Sequence, residues 1–136
     1  MAEAGSKNAA EGAAFLATNL ERAEVTALPS GVQYEVIQQG EGPTPSATSR
    51  VTVHYRGTTI DGTEFDNSYD RGQPATFPLD GVIPGWSAGL QHMNVGSIWK
   101  LFIPGEMAYG QNPPPQGPIG PNATLIFVVE LLSIEG

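Results

Sequence analysis

The chain changes its punctuation at residue 29, and that change limits what the remainder can fold into. Its 17 glycines and 12 prolines cluster from there onward. Proline removes a backbone donor and glycine disfavours helix, so such spacing favours short strands joined by turns. The apolar period in this stretch is two. Val32, Tyr34 and Val36 alternate with Gln33, Glu35 and Ile37, and Val51, Val53 and Tyr55 alternate with Thr52, His54 and Arg56. Asp61-Gly62 is a hairpin signal between residues 51–60 and 63–66. Trp99, Leu101 and Ile103 form a further alternating set, closed by Pro104-Gly105. The last strand is the clearest: Leu125, Phe127, Val129 and Leu131 on one side, Ile126, Val128, Glu130 and Leu132 on the other. One short helix fits 84–93, with Pro84 suited to its first turn.

Ahead of this lies a different pattern. Residues 8–25 read as a helix, capped by Asn8 with Glu11 three residues on, and stopped by Pro29-Ser30-Gly31. Leu16 and Leu20 share a face with Ala9, Ala13 and Ala23, while Glu21, Arg22 and Glu24 look elsewhere. So alanine-rich a stripe is thin, and a helix of this length needs a partner surface. The expected architecture is α+β: an antiparallel sheet with one short helix on a face, preceded by an N-terminal helix. Residues 1–27 form the helix and linker, and 28–136 the domain.

At 136 residues, 40% of them hydrophobic, the chain can bury one core. A net charge of −8, from 14 acidic and 6 basic residues, leaves no basic patch for phosphates, which argues against nucleic acid. No run of 18 apolar residues occurs, so no membrane insertion by a helix is expected. The N-terminus lacks an apolar signal region, which fits a cytosolic protein or one whose leader has been removed. The absence of cysteine excludes disulfides and thiol catalysis.

Familiar catalytic machinery is scarce. His54 and His92 stand in different elements and read as structural or surface residues, so no metal and no cofactor are expected. The run from Asp66 to Gly72 is a poor calcium loop, since its twelfth position is Phe77. No nucleophile elbow or phosphate loop is present. What stands out is a set of aromatic and apolar residues near turns: Tyr55, Phe65, Phe77, Val82, Ile83, Trp86, Tyr109, Ile119 and Phe127. They are either plain core or the wall of a concave apolar site, to which neighbouring Asp66 and Arg71 add polarity.

The order of several motifs favours the second reading. Val51-Thr52-Val53-His54-Tyr55-Arg56-Gly57 is followed by Asp61-Gly62-Thr63-Glu64-Phe65-Asp66-Asn67-Ser68. Phe77-Pro78-Leu79, Val82-Ile83-Pro84-Gly85-Trp86, Ala108-Tyr109-Gly110 and Pro121-Asn122-Ala123-Thr124-Leu125-Ile126-Phe127 come after them. Across residues 28–135 the chain resembles the FKBP-type peptidyl-prolyl cis/trans isomerases, whose fold wraps a twisted antiparallel sheet around one short helix. The resemblance implies a pocket walled by Tyr55, Phe65, Phe77, Val82, Ile83, Ile119 and Phe127, floored by the Trp86 indole. It implies polar contacts from Asp66, Tyr109 and the Ile83 N–H, with Arg71 pairing Asp66 at the rim. Of these, Tyr55, Phe65, Asp66, Trp86, Tyr109 and Phe127 are expected to act in catalysis, and the remainder to hold substrate or inhibitor. It further implies proline-containing polypeptides as substrates and inhibition by macrolides such as tacrolimus and rapamycin. The rival reading is a chaperone or partner-binding module of the same fold without catalysis.

Glu11-Gly12-Ala13-Ala14-Phe15-Leu16 and Leu28-Pro29-Ser30-Gly31-Val32-Gln33-Tyr34 are similar to the bacterial Mip-like branch. There a long helix joins a dimerisation module to the isomerase domain. This chain is therefore expected to be monomeric, and a longer parent to be a homodimer. Relatives in that branch occur in periplasm, outer membrane and cytosol. The chain departs from the family pattern at Ile119, followed by Gly120 and Pro121 rather than paired prolines, and in the proline-rich loop 111–118. That loop is too short for the inserted chaperone domain of some relatives.

Overall fold

Alternation from residue 25 onward builds a single antiparallel sheet. The computed structural model describes residues 2–110, 119–120 and 122–135, so the proline-rich stretch 111–118 and Pro121 lie outside the described residues. The elements are α1 (Ala2–Leu20), β1 (Val25–Ala27), β2 (Gln33–Gln38), β3 (Arg50–Thr59), β4 (Glu64–Asn67) and α2 (Ser68–Arg71). They are followed by β5 (Ala75–Pro78), α3 (Pro84–Leu90), β6 (Ile98–Ile103) and β7 (Leu125–Glu135). Single 3-10 turns sit at Leu79–Gly81 and Gly105–Met107. The strand order is β1-β2-β6-β7-β3-β4, with β5 paired to β3. The central pair, β3 against β7, runs from Arg50 opposite Glu135 to Thr59 opposite Leu125.

Because strand side chains alternate between faces, Val51, Val53 and Tyr55 of β3 enter one core with Leu125, Phe127, Val129 and Leu131 of β7. Trp99, Leu101 and Ile103 of β6 join them. α3 is laid across this inner face. Its Gly85 and Gly89 are one turn apart and fully buried on β6. A Cβ on Gly85 would stand 2.4 Å from Ile103 Cγ2, and one on Gly89 would stand 2.9 Å from Leu101 Cδ2. Those two glycines let the helix backbone approach closely enough for Trp86 and Leu90 to be buried. α3 ends at Leu90, with 91–92 in a turn, shorter than the expected 84–93.

The N-terminal helix differs more from expectation. It ends at Leu20 rather than at residue 25, and Asn8 sits inside it rather than capping it. Val25 is instead claimed by the sheet, where it lies opposite Glu35. The ladder bonds of a paired strand satisfy a β-branched residue better than another helical turn does. The face that packs is also different. Gly12 and Asn19 are buried and Phe15 and Leu16 partly so, while Ala9, Ala13, Leu20 and Ala23 are exposed. α1 therefore lies on the outer face of the sheet, opposite α3, with Phe15 6.0 Å from Phe102. A polar pair locks it there: Asn19 Nδ2 donates to Gln33 Oε1 at 2.9 Å, and Gln33 Nε2 donates to the Leu16 carbonyl at 3.0 Å. Both partners are buried, so each satisfies a group that would otherwise be costly to bury.

Candidate active site

The inner face of the sheet does not close over α3 everywhere, and the gap is lined by rings. Trp86 comes from the first turn of α3, where Pro84 occupies an N-terminal position that needs no N–H donor. Its indole is only 4% exposed. Three rings meet it edge-to-face: Tyr55 at 5.0 Å, Phe77 at 5.5 Å and Phe127 at 5.3 Å between centroids. Interplanar angles of 84°, 89° and 88° match the quadrupole-favoured T-shape, so the rings hold one another in register. Above them opens a cavity of about 310 Å³, completed by Val82, Ile83, Gly81, Asp66 and Tyr109.

One corner of the cavity is polar. β4 lies beside β3 with Gly57 opposite Asp66, which brings the Asp66 carboxylate to the Tyr55 hydroxyl two positions back along β3. Tyr55 Oη donates to Asp66 Oδ2, and Arg71 Nη1 donates to Asp66 Oδ1. The Asn67 N–H also donates to Asp66 Oδ1, at 3.0 Å. Arg71 Nη2 reaches Tyr55 Oη at 3.2 Å, and its guanidinium carbon lies 5.7 Å from the Tyr55 ring centroid. Arg71 comes from α2, whose first turn is capped by Asn67 and whose end is turned by Gly72 at φ 73°.

These contacts set the charge states. Burial works against ionisation of Asp66, but the Tyr55 hydroxyl and the Arg71 guanidinium outweigh it and hold the carboxyl below its ordinary value. Burial, then the hydrogen bond to Asp66, raises the Tyr55 phenol. Burial, then the Asp66 charge, raises Tyr109. The corner is thus an ionised carboxylate with two protonated phenols and a guanidinium nearby. It lacks a group poised to exchange protons near neutrality.

Of the residues named from the sequence, Tyr55, Asp66, Phe77, Val82, Ile83, Trp86, Tyr109 and Phe127 line this one cavity. Three do not. Phe65 stands behind Phe127, edge-to-face at 5.5 Å. Arg71 grips Asp66 from the rim, and Ile119 is buried in the core cluster. Gly81 lines the cavity without having been named; its only sequence signal is the Asp80-Gly81 turn pair.

Comparison with known proteins places this geometry. Residues 42–132 match the family model described as FKBP-type peptidyl-prolyl cis-trans isomerase, and residues 1–36 match that of the domain amino-terminal to it. The chain is 48% identical over 128 residues to the peptidyl-prolyl cis-trans isomerase Mip of Coxiella burnetii, covering 94% of this chain and 55% of that protein. It is 52% identical over 126 residues to the FKBP-type 22 kDa peptidyl-prolyl cis-trans isomerase of Escherichia coli, covering 93% of this chain and 61% of that one. The crystal structure of FkpA from Escherichia coli superposes with a TM-score of 0.90 at 44% identity, over 96% of this chain and 61% of that chain. The chain spans about half the length of the curated relatives it matches. Every residue that lines the cavity, from Tyr55 to Phe127, falls within the matched stretch, and the chain belongs to the FKBP-type peptidyl-prolyl cis-trans isomerase family.

Proposed function

We propose that this chain accelerates cis/trans rotation about Xaa-Pro bonds of polypeptides, using the Trp86-floored cavity as its catalytic site. The observation that carries this reading is the cavity itself: ringed by aromatic groups, with one ordered polar corner and no proton-transfer group tuned to neutrality. The reaction needs no more. Prolyl isomerisation breaks no bond; it twists a tertiary amide against its conjugation, with an activation energy of about 20 kcal/mol. The planar amide is charge-separated and water favours it; the twisted amide has lost that resonance. A dry ring-lined site therefore binds the twisted form better than the planar one. Each 1.36 kcal/mol of such differential binding gives about tenfold in rate.

Within this reading Trp86, Phe77, Phe127 and Tyr55 enclose the prolyl ring. The Tyr109 hydroxyl and the Ile83 N–H donate to substrate carbonyls, and Asp66, held by Arg71 and Tyr55, orders the polar side. Phe65 and Ile119 support the walls from behind. The test is turnover of short Xaa-Pro peptides with and without tacrolimus. Fast isomerisation abolished by the macrolide is the expected result. Folded protein that binds unfolded chains but does not accelerate isomerisation would instead make this a binding module.

The charge states add a second expectation. Asp66 has a folded pKa below its unfolded one, so its contribution is fully present above the unfolded value and lost as pH falls through the folded value. Tyr55 and Tyr109 are shifted upward, away from neutrality. Turnover should be flat from about pH 5 to about pH 9 and should fall only in acid. A bell-shaped profile centred near neutrality would show that a proton does move in the rate-limiting step.

A further inference from the structure

His54 and the run Asn67-Ser68-Tyr69-Asp70 contribute no side chain to the cavity, yet they form a connected cluster directly behind it. His54 neighbours Tyr55 on β3, so its side chain points to the opposite face. There its Nδ1 lies 2.8 Å from Ser68 Oγ, and its ring stacks on Tyr69 at 4.5 Å with an interplanar angle of 16°. Glu130 is the cross-strand neighbour of His54 on β7, and Tyr69 Oη donates to its Oε1 at 2.9 Å. Ser68 is completely buried; its Oγ accepts the Tyr55 backbone N–H at 2.7 Å.

All these contacts converge on α2. At four residues that helix is a single turn, too short to persist without external anchors. Asn67 Oδ1 caps it by accepting the N–H groups of Tyr69 and Asp70 at 2.9 and 3.2 Å. Besides the Arg71 bonds to Asp66 and Tyr55 themselves, Ser68 and Tyr69 tie its side chains to the sheet among the described residues. Arg71 is its last residue. The guanidinium that orders Asp66 and the Tyr55 hydroxyl therefore stands on a platform whose position is set from the far side of β3.

We propose that His54, Ser68 and Tyr69 are positioning residues for the isomerase cavity, fixing α2 through Glu130 and the Tyr55 backbone so that Arg71 keeps Asp66 and the Tyr55 hydroxyl in place. This rests on the isomerase reading above. Burial and the Glu130 carboxylate push the Tyr69 phenol up to about 12, so it remains a donor to Glu130 at any pH the chain meets in an assay. Ser68 Oγ can serve the His54 ring in either hydrogen-bonding role, which keeps the anchor intact in both tautomers.

Tyr69 is 44% exposed, so truncating it opens no core cavity and isolates the anchor. The variants are Tyr69→Ala, Tyr69→Phe, Arg71→Ala and the double variant Tyr69→Ala/Arg71→Ala, assayed for kcat/KM on Xaa-Pro peptides. Tyr69→Ala should lower kcat/KM about fivefold, and Tyr69→Phe, which keeps the ring on His54 but loses the bond to Glu130, should recover only part of it. In the Arg71→Ala background, adding Tyr69→Ala should cost nothing further, because the residue acts only through Arg71. The same fivefold loss in both backgrounds, or no loss from Tyr69→Ala alone, overturns the proposal. The Arg71 Nε–H resonance reads the clamp independently of turnover. It should move toward the free-arginine position in Tyr69→Ala, and an unmoved resonance overturns the proposal even if the unaltered chain proves to be no isomerase.

Discussion

Trp86→Ala should lower kcat/KM for Xaa-Pro peptides by about a hundredfold while leaving a folded, weakened domain. The indole meets three other rings of the cavity edge-to-face, and it is nearly inaccessible to water. A prolyl ring seated on it removes roughly 100 Å² of apolar surface from solvent, which at about 25 cal/mol per Å² is near 2.5 kcal/mol. Only the part of that energy expressed more strongly in the twisted amide raises the rate, but truncation also lets water into the cavity and returns the advantage of the planar form. Stability falls too, since removing a large aromatic from a core costs about 3–5 kcal/mol. Trp86→Phe separates the two effects. The indole Nε1 makes no hydrogen bond among the described residues, so a phenyl ring forfeits none of those, and most of the stability should return. Activity should return only in part, because the floor remains smaller. The comparison is made by peptide isomerisation at a urea concentration well below each variant's unfolding midpoint. Full activity in folded Trp86→Ala would remove the indole from the mechanism.

How much of this site can be read from residues alone depends on where each residue sits. Alternation identifies β3, β6 and β7, because each buries one face and the period of two follows directly from that burial. It fails at the edges. β1 is three residues long, too short to carry a period, and a helical reading that looks for the nearest breaker runs through Val25 to Pro29. The packing face of α1 is hidden for another reason. Gly12 and Asn19 do not look apolar, yet Gly12 fits against Thr124 and Asn19 is satisfied by Gln33, contacts made by residues far along the chain. α2 is invisible to periodicity, and Asp66 to Gly72 shows only as a failed calcium loop until its cap and Ser68 anchor are seen. The aromatic set could be core or cavity from sequence alone, since both demand large apolar side chains. Family resemblance tips that balance, and the side chains of Phe65 and Ile119, which it also names, stand outside the cavity lining.

Gly57→Val should destabilise the domain by about 1–3 kcal/mol and lower kcat/KM at least tenfold, although local propensity argues the other way. A glycine inside a strand is ordinarily a weak point, and a β-branched residue ordinarily an improvement there. At this position the surroundings decide. Gly57 lies in the middle of β3, opposite Phe127 on β7 and Asp66 on β4, and it is buried. A Cβ built on it would stand 2.7 Å from Phe65 Cζ and 2.8 Å from Phe127 Cε1, well inside contact distance. Glycine is what permits both rings to pack over the strand, Phe65 edge-on behind Phe127 and Phe127 edge-on against Trp86. Adding a side chain must push one of them. Phe127 is held on its other side by the indole, so the readier movement is of Phe65, which is only partly buried; the longer branches of valine then force Phe127 as well. Gly57→Ala should therefore cost less than Gly57→Val in both stability and turnover, with the loss graded by side-chain volume. Urea unfolding and peptide isomerisation of the two variants measure this directly. Equal or improved stability in Gly57→Val would mean that the strand's own preference outweighs the ring packing, and that Phe65 and Phe127 have freedom this arrangement does not allow them.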